Sequence, residues 1–352
     1  MKILVRGTNW VGDAVMAIPA LRELRRIFPQ AKITLHTRDW ARGIFQDAEF
    51  IDEILTFDKT KSRIEDAFSQ SKILKAGNFD LAVLLPNSFE SSLIAKMSAI
   101  PRRFGYAKEG RSFLLTDAIE IPIWKNQRHE VFYYLNLIAQ IEKSFFKTQT
   151  ILQNEPHFDL AVSAERRAEA GKILKETGVD TTRKTVALGV GSTNSLAKRW
   201  SSQSYAELND LLQNELNANV ILVGAKDETD VSAEVYEISK IKPFVLTGKT
   251  SLAEIAAILS EIDLLVSNDM GLAHIAPAVG TKTLVIFGPT NDKTTRPFPE
   301  IAEIVRVNVE CSPCMLRTCP IDHRCMTRIS PQAVFEKISI ILNHQSYDKI
   351  SS

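Results

Sequence analysis

Residues 263–290 read Asp-Leu-Leu-Val-Ser-Asn-Asp-Met-Gly-Leu-Ala-His-Ile-Ala-Pro-Ala-Val-Gly-Thr-Lys-Thr-Leu-Val-Ile-Phe-Gly-Pro-Thr. Residues 264–266 and 283–287 are short, continuous apolar runs, the pattern of parallel strands covered on both faces. Between them a polar turn with Asp269, Gly271 and His274 opens a helical stretch. Strand, turn, helix, strand is the unit of an open α/β sheet, whose ligands bind outside the carboxyl ends of the strands. A helix N-terminus at that place adds unpaired N–H groups and a positive dipole end, both of which attract anions. Asp269 would repel a phosphate set directly against it, so its expected partners are sugar hydroxyls or the turn's own backbone. His274, one turn into the helix, reads either as a core histidine or as a hydrogen-bond donor to a ligand. Pro277 is expected to kink or shorten the helix.

Outward from this stretch the same alternation continues. Residues 3–5, 32–36, 51–56 and 81–85 read as strands. Helices are expected over 13–28, with Pro19 in the interior, and at 93–98 and 132–143. A linker-like stretch at 154–157 and a charged helix at 164–177 precede a second series of strands, at 185–190, 220–223 and 244–246. Helices at 204–216 and 251–259 lie among them, and Ser251 with Glu254 has the spacing of a capping box. The expected fold class is α/β: two Rossmann-like domains, 1–165 and 166–352, facing across a cleft. The last helix, 331–343, could pack on either domain.

Bulk composition narrows the function. The 352 residues suffice for two domains with a core each. Hydrophobic residues make up 45% and charged residues 24%, the balance of a soluble globular protein. Lys+Arg number 43 against 42 Asp+Glu, which argues against a strongly basic nucleic-acid binder. The N-terminal residues lack the apolar core of a signal peptide, and no window approaches a membrane span. A cytoplasmic protein is expected.

Three loops carry candidate chemistry. The first, Asn9-Trp10-Val11-Gly12-Asp13, follows the first strand. Asp13 reads as a helix N-cap or as a general base that takes a proton from an acceptor hydroxyl. The loop has no G-x-G-x-x-G, which weakens a dinucleotide oxidoreductase. The second, residues 190–200, offers Gly191, Ser192, Thr193 and the cation Lys198, a set suited to a diphosphate leaving group whose charge grows during bond cleavage. The plainer reading is a polar surface loop anchored by Trp200. The third is the turn at Asp269.

Taken together, Gly-Lys-Thr-Ser-Leu-Ala-Glu-Ile-Ala-Ala (248–257), Ser-Asn-Asp-Met-Gly-Leu-Ala-His (267–274) and Phe-Gly-Pro-Thr (287–290) resemble glycosyltransferase family 9, the ADP-heptose:lipopolysaccharide heptosyltransferases. Asn-Trp-Val-Gly-Asp (9–13), Leu-Pro-Asn-Ser-Phe (85–89), Arg-Arg-Phe-Gly-Tyr (102–106), Ala-Lys-Arg-Trp (197–200) and Cys-Pro-Ile-Asp-His-Arg-Cys-Met (319–326) extend the likeness over nearly the whole chain. The first and last of these are closer to the heptosyltransferase II branch than to heptosyltransferase I. The resemblance implies a GT-B fold, with the acceptor on the N-terminal domain and the nucleotide sugar on the C-terminal one. It implies transfer of heptose from ADP-heptose to the first heptose of the lipopolysaccharide inner core, with inversion and no required cofactor. Another family 9 transferase, such as heptosyltransferase I, and a non-catalytic nucleotide-sugar binder are the alternatives.

Carried over by position, Asp13 is the base and Lys198 the neutraliser of the donor diphosphate. Ser192 and Thr193 lie in the phosphate-facing loop, and Thr250 meets the adenine through its backbone. Asp269, Gly271, Leu272 and His274 form the donor turn. Met270 departs from the Ser or Thr usual there, and the 191–193 loop departs from the usual heptosyltransferase II sequence. The implied partners are an ADP-sugar and a glycolipid core precursor met at the inner membrane surface, with no nucleic acid. Arg102, Arg103, Lys108 and Arg111 read as solvated surface, or as an acceptor face suited to an acidic glycolipid. The four cysteines, Cys311, Cys314, Cys319 and Cys325, read as a reduced loop or as a structural metal knuckle. A catalytic metal is not expected.

Overall fold

The computed structural model describes residues 1–60 and 62–343. The chain divides into two units, Met1–Leu160 and Ala161–Ser352. Among the described residues each unit holds one six-stranded parallel sheet. The first contains β1 (Lys2–Arg6), β2 (Lys32–Arg38), β3 (Glu53–Phe57), β4 (Leu81–Leu84), β5 (Arg102–Tyr106) and β6 (Asp117–Ile119). The second contains β7 (Thr185–Gly189), β8 (Asn219–Val223), β9 (Phe244–Val245), β10 (Leu264–Asn268), β11 (Lys282–Phe287) and β12 (Ala302–Arg306). The orders are β3-β2-β1-β4-β5-β6 and β12-β11-β10-β7-β8-β9. Counted within its own unit, each sheet therefore runs 3-2-1-4-5-6, the doubly wound Rossmann order. The order reverses between β1 and β4 in the first sheet, and between β7 and β10 in the second.

The central strands form where the sequence is continuously apolar. All residues of β7, β8 and β10 are buried, and Val186, Leu188, Val220, Leu222, Val266 and Ile286 share one core cluster. At roughly 25 cal/mol per Å² of apolar surface, each fully buried side chain of this kind contributes about 1.5–3 kcal/mol. The final helix, Pro331–Asn343, packs on the helix Ser202–Leu216 and puts Val334, Ile338 and Leu342 into that same cluster. It lies within the second unit.

Three readings change. The helix expected over 13–28 is two helices, Val11–Met16 and Ile18–Ile27, with Pro19 in the first turn of the second. There its missing N–H is not needed by the helix ladder. Asp13 is consequently not a cap. Trp10 holds that position, and Asp13 lies in the first turn. The basic cluster of residues 102–111 is largely structural. Arg102 forks onto Asp117 through Nε (3.0 Å) and Nη2 (2.7 Å), tying β5 to β6. Arg103 Nε donates to the Leu114 carbonyl (2.8 Å). Arg111 is fully buried and donates to the carbonyls of Tyr106 (2.9 Å), Pro86 (2.6 Å) and Ser88 (3.2 Å). A guanidinium enclosed in this way knits loops together and cannot present charge to a ligand.

A second buried cation sits at the carboxyl edge of the first sheet. Arg6 pairs in register with His36, and its Nη1 donates to His36 Nδ1 (2.8 Å) and to Gln70 Oε1 (2.7 Å). The guanidinium also lies over the Phe57 ring, 3.7 Å from its centroid. Because Arg6 only donates, Nδ1 must be unprotonated. Burial first, and then the Arg6 charge, hold the imidazole at about 3. Between that value and the ordinary 6.5 the unfolded chain binds more protons than the folded one, so stability falls as pH drops through this window. In His36→Gln, whose amide oxygen can still accept from Arg6, the urea midpoint is expected to fall less steeply between pH 6.5 and 3 than in the wild type. Parallel pH profiles for the two proteins would refute this.

Candidate functional site

In the second sheet the switch point lies between β7 and β10, so the loops leaving these two strands flank the place where ligands bind in such sheets. Asn268, the last residue of β10, fixes the β7 loop. Its Nδ2 donates to the carbonyls of Val190 (2.9 Å) and Gly191 (3.0 Å). Its Oδ1 accepts from the Trp200 N–H (2.9 Å) and the Tyr205 hydroxyl (3.0 Å). All four of its hydrogen-bonding positions are used, and the side chain is fully buried. Trp200 is buried too, with Nε1 donating to the Ile329 carbonyl (2.9 Å). Both ends of the loop that carries Lys198 are thus anchored.

Lys198 ends a one-turn 3₁₀ helix, Leu196–Lys198. Its ammonium lies 2.7 Å from Asp269 Oδ2, which also accepts from the Thr290 hydroxyl (2.8 Å). Sequence reasoning aimed Lys198 at a diphosphate and Asp269 at sugar hydroxyls. In the folded chain the two side chains meet each other. The carboxylate is nearly buried while the lysine retains solvent contact, so the pair neutralises a charge that would be costly alone. A cation is left at the rim, next to the start of the helix Gly271–Ala278.

Met270 is the N-cap of that helix, with extended backbone and no side-chain capping bond. Its sulfur lies 3.0 Å from where a Cβ on Gly189 would stand, so the side chain packs down against the end of β7. The hydroxyl usual in the resembling family is absent, but the helix N–H groups are unaffected. Leu272 and His274 are both buried, and Pro277 falls one residue before the helix ends at Ala278. Thr250 lies on a separate turn beyond β9, where Gly248 takes a φ of 72°.

Gly191, having no side chain, leaves space beside its backbone. The space is taken by Glu228, whose carboxyl carbon lies 2.2 Å from where a Gly191 Cβ would be. Glu228 Oε2 accepts from the Ala225 N–H (2.8 Å) and Oε1 from the Thr193 hydroxyl (3.4 Å). Burial raises its pKa above the usual carboxylate value. Sequence reasoning missed this wedge. The only available signal was glycine at both places the carboxylate touches, Gly191 and Gly224. Ser192 is buried, and its carbonyl accepts from Arg199 Nε (3.3 Å). Thr193 is exposed at the loop surface.

In the first unit, Asp13 is half-buried, and Oδ1 accepts from the Tyr134 hydroxyl (3.2 Å). Burial, reinforced by the Asp13 charge, holds that phenol well above its ordinary pKa. Tyr134 therefore stays a donor and keeps the carboxylate oriented. Trp10, beside it in sequence, is exposed.

The cysteines are free thiols, with Cys311 and Cys314 exposed and Cys325 buried. Among the described residues no group of three or more His, Cys, Asp or Glu side chains is arranged to hold a metal ion. Also among these residues, no helix is long and apolar enough to cross a membrane.

The sequence model of glycosyltransferase family 9 (heptosyltransferase) matches residues 67–324. The chain is 28% identical to lipooligosaccharide heptosyltransferase 2 of Campylobacter jejuni subsp. jejuni serotype O:6, over 96% of this chain and 98% of the relative. It is 27% identical to lipopolysaccharide heptosyltransferase 2 of Salmonella typhimurium, over 98% and 99%. Among solved structures, E. coli ADP-heptose LPS heptosyltransferase II superposes with a TM-score of 0.85 and 26% identity, covering 98% of this chain and all of that one. The two Rossmann-like units in tandem are of the GT-B class expected from the sequence.

Proposed function

The chain belongs to glycosyltransferase family 9 (heptosyltransferase), and on that premise we propose that it moves heptose from ADP-heptose to the first heptose of the lipopolysaccharide inner core, with inversion. The observation that carries the donor side is the meeting of Lys198 and Asp269 across the switch point of the second sheet, at a helix N-terminus. A cation and a row of N–H groups at one crevice suit a nucleotide diphosphate. Asp269 is then placed to shift part of its hydrogen bonding to the donor when Lys198 turns to phosphate.

In the proposed reaction Asp13 takes the proton of an acceptor hydroxyl. The acceptor oxygen forms a bond to the anomeric carbon as the bond from that carbon to the diphosphate oxygen breaks. ADP leaves with the electron pair, and Lys198 with the N–H groups near Gly271 stabilises its charge. Ser192, Thr193, Leu272 and His274 shape the donor pocket, and the Thr250 backbone meets the adenine. The acceptor is a glycolipid, reached by peripheral contact with the inner membrane from the cytoplasmic side.

The test is incubation with ADP-heptose and a set of core lipids truncated at successive sugars, read by mass. One added heptose on the acceptor that ends in the first heptose is the expected result. Addition only to an acceptor without heptose would replace this reading with heptosyltransferase I.

A further inference from the structure

The chain between β12 and the last helix carries all four cysteines and runs back over both donor-side loops. Ser312 Oγ donates to the Gly288 carbonyl (2.6 Å), and the Met315 N–H to the Pro289 carbonyl (2.9 Å). Thr290, the next residue on that loop, donates to Asp269. Farther along, the same segment reaches the Lys198 turn. The Ala197 N–H donates to the Arg317 carbonyl (3.0 Å), and the Ser195 hydroxyl lies 3.3 Å from the same oxygen. His323 Nε2 lies 2.6 Å from the Ala197 carbonyl.

A carbonyl oxygen only accepts, so Nε2 carries a proton and His323 is the donor. That carbonyl belongs to the peptide unit joining Ala197 to Lys198. Holding it on one side by His323, with the Lys198 N–H of the same unit donating to the Ser195 carbonyl (3.2 Å), fixes the plane from which the lysine side chain departs. His323 itself sits at φ 58°, in the left-handed region. That conformation is uncommon for a residue with a Cβ, though histidine adopts it more readily than most. The turn is braced by Arg324 Nε, which donates to Asp322 Oδ1 (2.9 Å).

We propose that His323 is a positioning residue for Lys198, aiming its ammonium through the Ala197 carbonyl at the donor diphosphate. The proposal rests on the donor-site reading given above. A cation displaced by a fraction of an ångström loses much of its stabilisation of a developing charge, so the role is separable from packing by kinetics.

The experiment uses the full chain, with ADP binding measured by calorimetry and heptose transfer measured at steady state. In His323→Ala, ADP affinity is expected to fall about fivefold, the scale of one lost hydrogen bond, and kcat about tenfold. His323→Gln, which keeps an N–H donor, should recover most of both, as a defect in bulk packing would not. In a Lys198→Ala background, His323→Ala should add no further loss, because the group it positions is gone. Unchanged ADP affinity and kcat in His323→Ala would overturn the proposal, and so would fully additive losses in the double variant. Failure of the wild type to bind ADP would instead remove the donor-site reading, and the positioning role with it.

Discussion

Asp13→Asn is expected to lower the rate of heptose transfer by on the order of 10²–10⁴-fold, the usual contribution of a positioned general base, while ADP binding stays near the wild-type value. The substitution is nearly isosteric and keeps an oxygen that can accept from Tyr134, whose hydroxyl lies 3.2 Å from Asp13 Oδ1. Orientation is preserved and basicity is removed. ADP release in the presence of donor and acceptor measures the rate, and calorimetry measures ADP affinity. Turnover within a few-fold of wild type would take the base role away from Asp13. Loss of ADP affinity would move Asp13 into donor binding. Tyr134→Phe is the companion control. It removes one hydrogen bond to the carboxylate and should change the rate by less than about tenfold.

The other large effect belongs to Lys198. Lys198→Ala removes the cation from Asp269, which is left nearly buried with the Thr290 hydroxyl still donating to it. Two consequences are expected. The second unit should lose about 3 kcal/mol of stability, the cost of stranding one member of a buried pair, read as a lowered urea midpoint. Transfer should slow by on the order of 10²–10³-fold, as when one preorganised stabiliser of a developing charge is removed. The double change Lys198→Met with Asp269→Asn separates the two, since it strands no charge. Its stability should recover and its turnover should not. Recovery of turnover along with stability would show that Lys198 serves the fold and not the diphosphate.

The central strands were legible because burial on both faces leaves one pattern, a short run of apolar residues. Thr185–Gly189, Leu264–Asn268 and Lys282–Phe287 all read in this way. The edge strands Glu53–Phe57 and Phe244–Val245 were legible too, but Arg102–Tyr106, Asp117–Ile119 and Ala302–Arg306 were not. Arg102–Tyr106 begins with two arginines that look like solvated surface until Asp117 and the Leu114 carbonyl are found opposite them. Ala302–Arg306 is only half-buried and mixes charge with apolar residues. At the candidate site, the loops could be found because glycine, hydroxyl and acidic residues follow apolar runs. What they touch could not be read. Lys198 and Asp269 are brought together by two neighbouring strands far apart in sequence, and periodicity carries no record of such a pairing. Glu228 was invisible for the same reason: a glutamate at the start of a helix normally reads as solvated, and only the folded chain sets it against Gly191 and Gly224.

Asn268 bears on the thermodynamics of recognition. Ordering a loop residue costs about 1–2 kcal/mol in conformational entropy, and a loop that orders only around its ligand subtracts that cost from affinity. Three of the four hydrogen bonds of Asn268 reach the Val190 and Gly191 carbonyls at one end of the loop and the Trp200 N–H at the other. The chain between them is ordered when the sheet forms, before any nucleotide arrives. Rigidity at this crevice is therefore charged to folding, and the free energy of the contacts made by the ligand is left for binding and for the transition state.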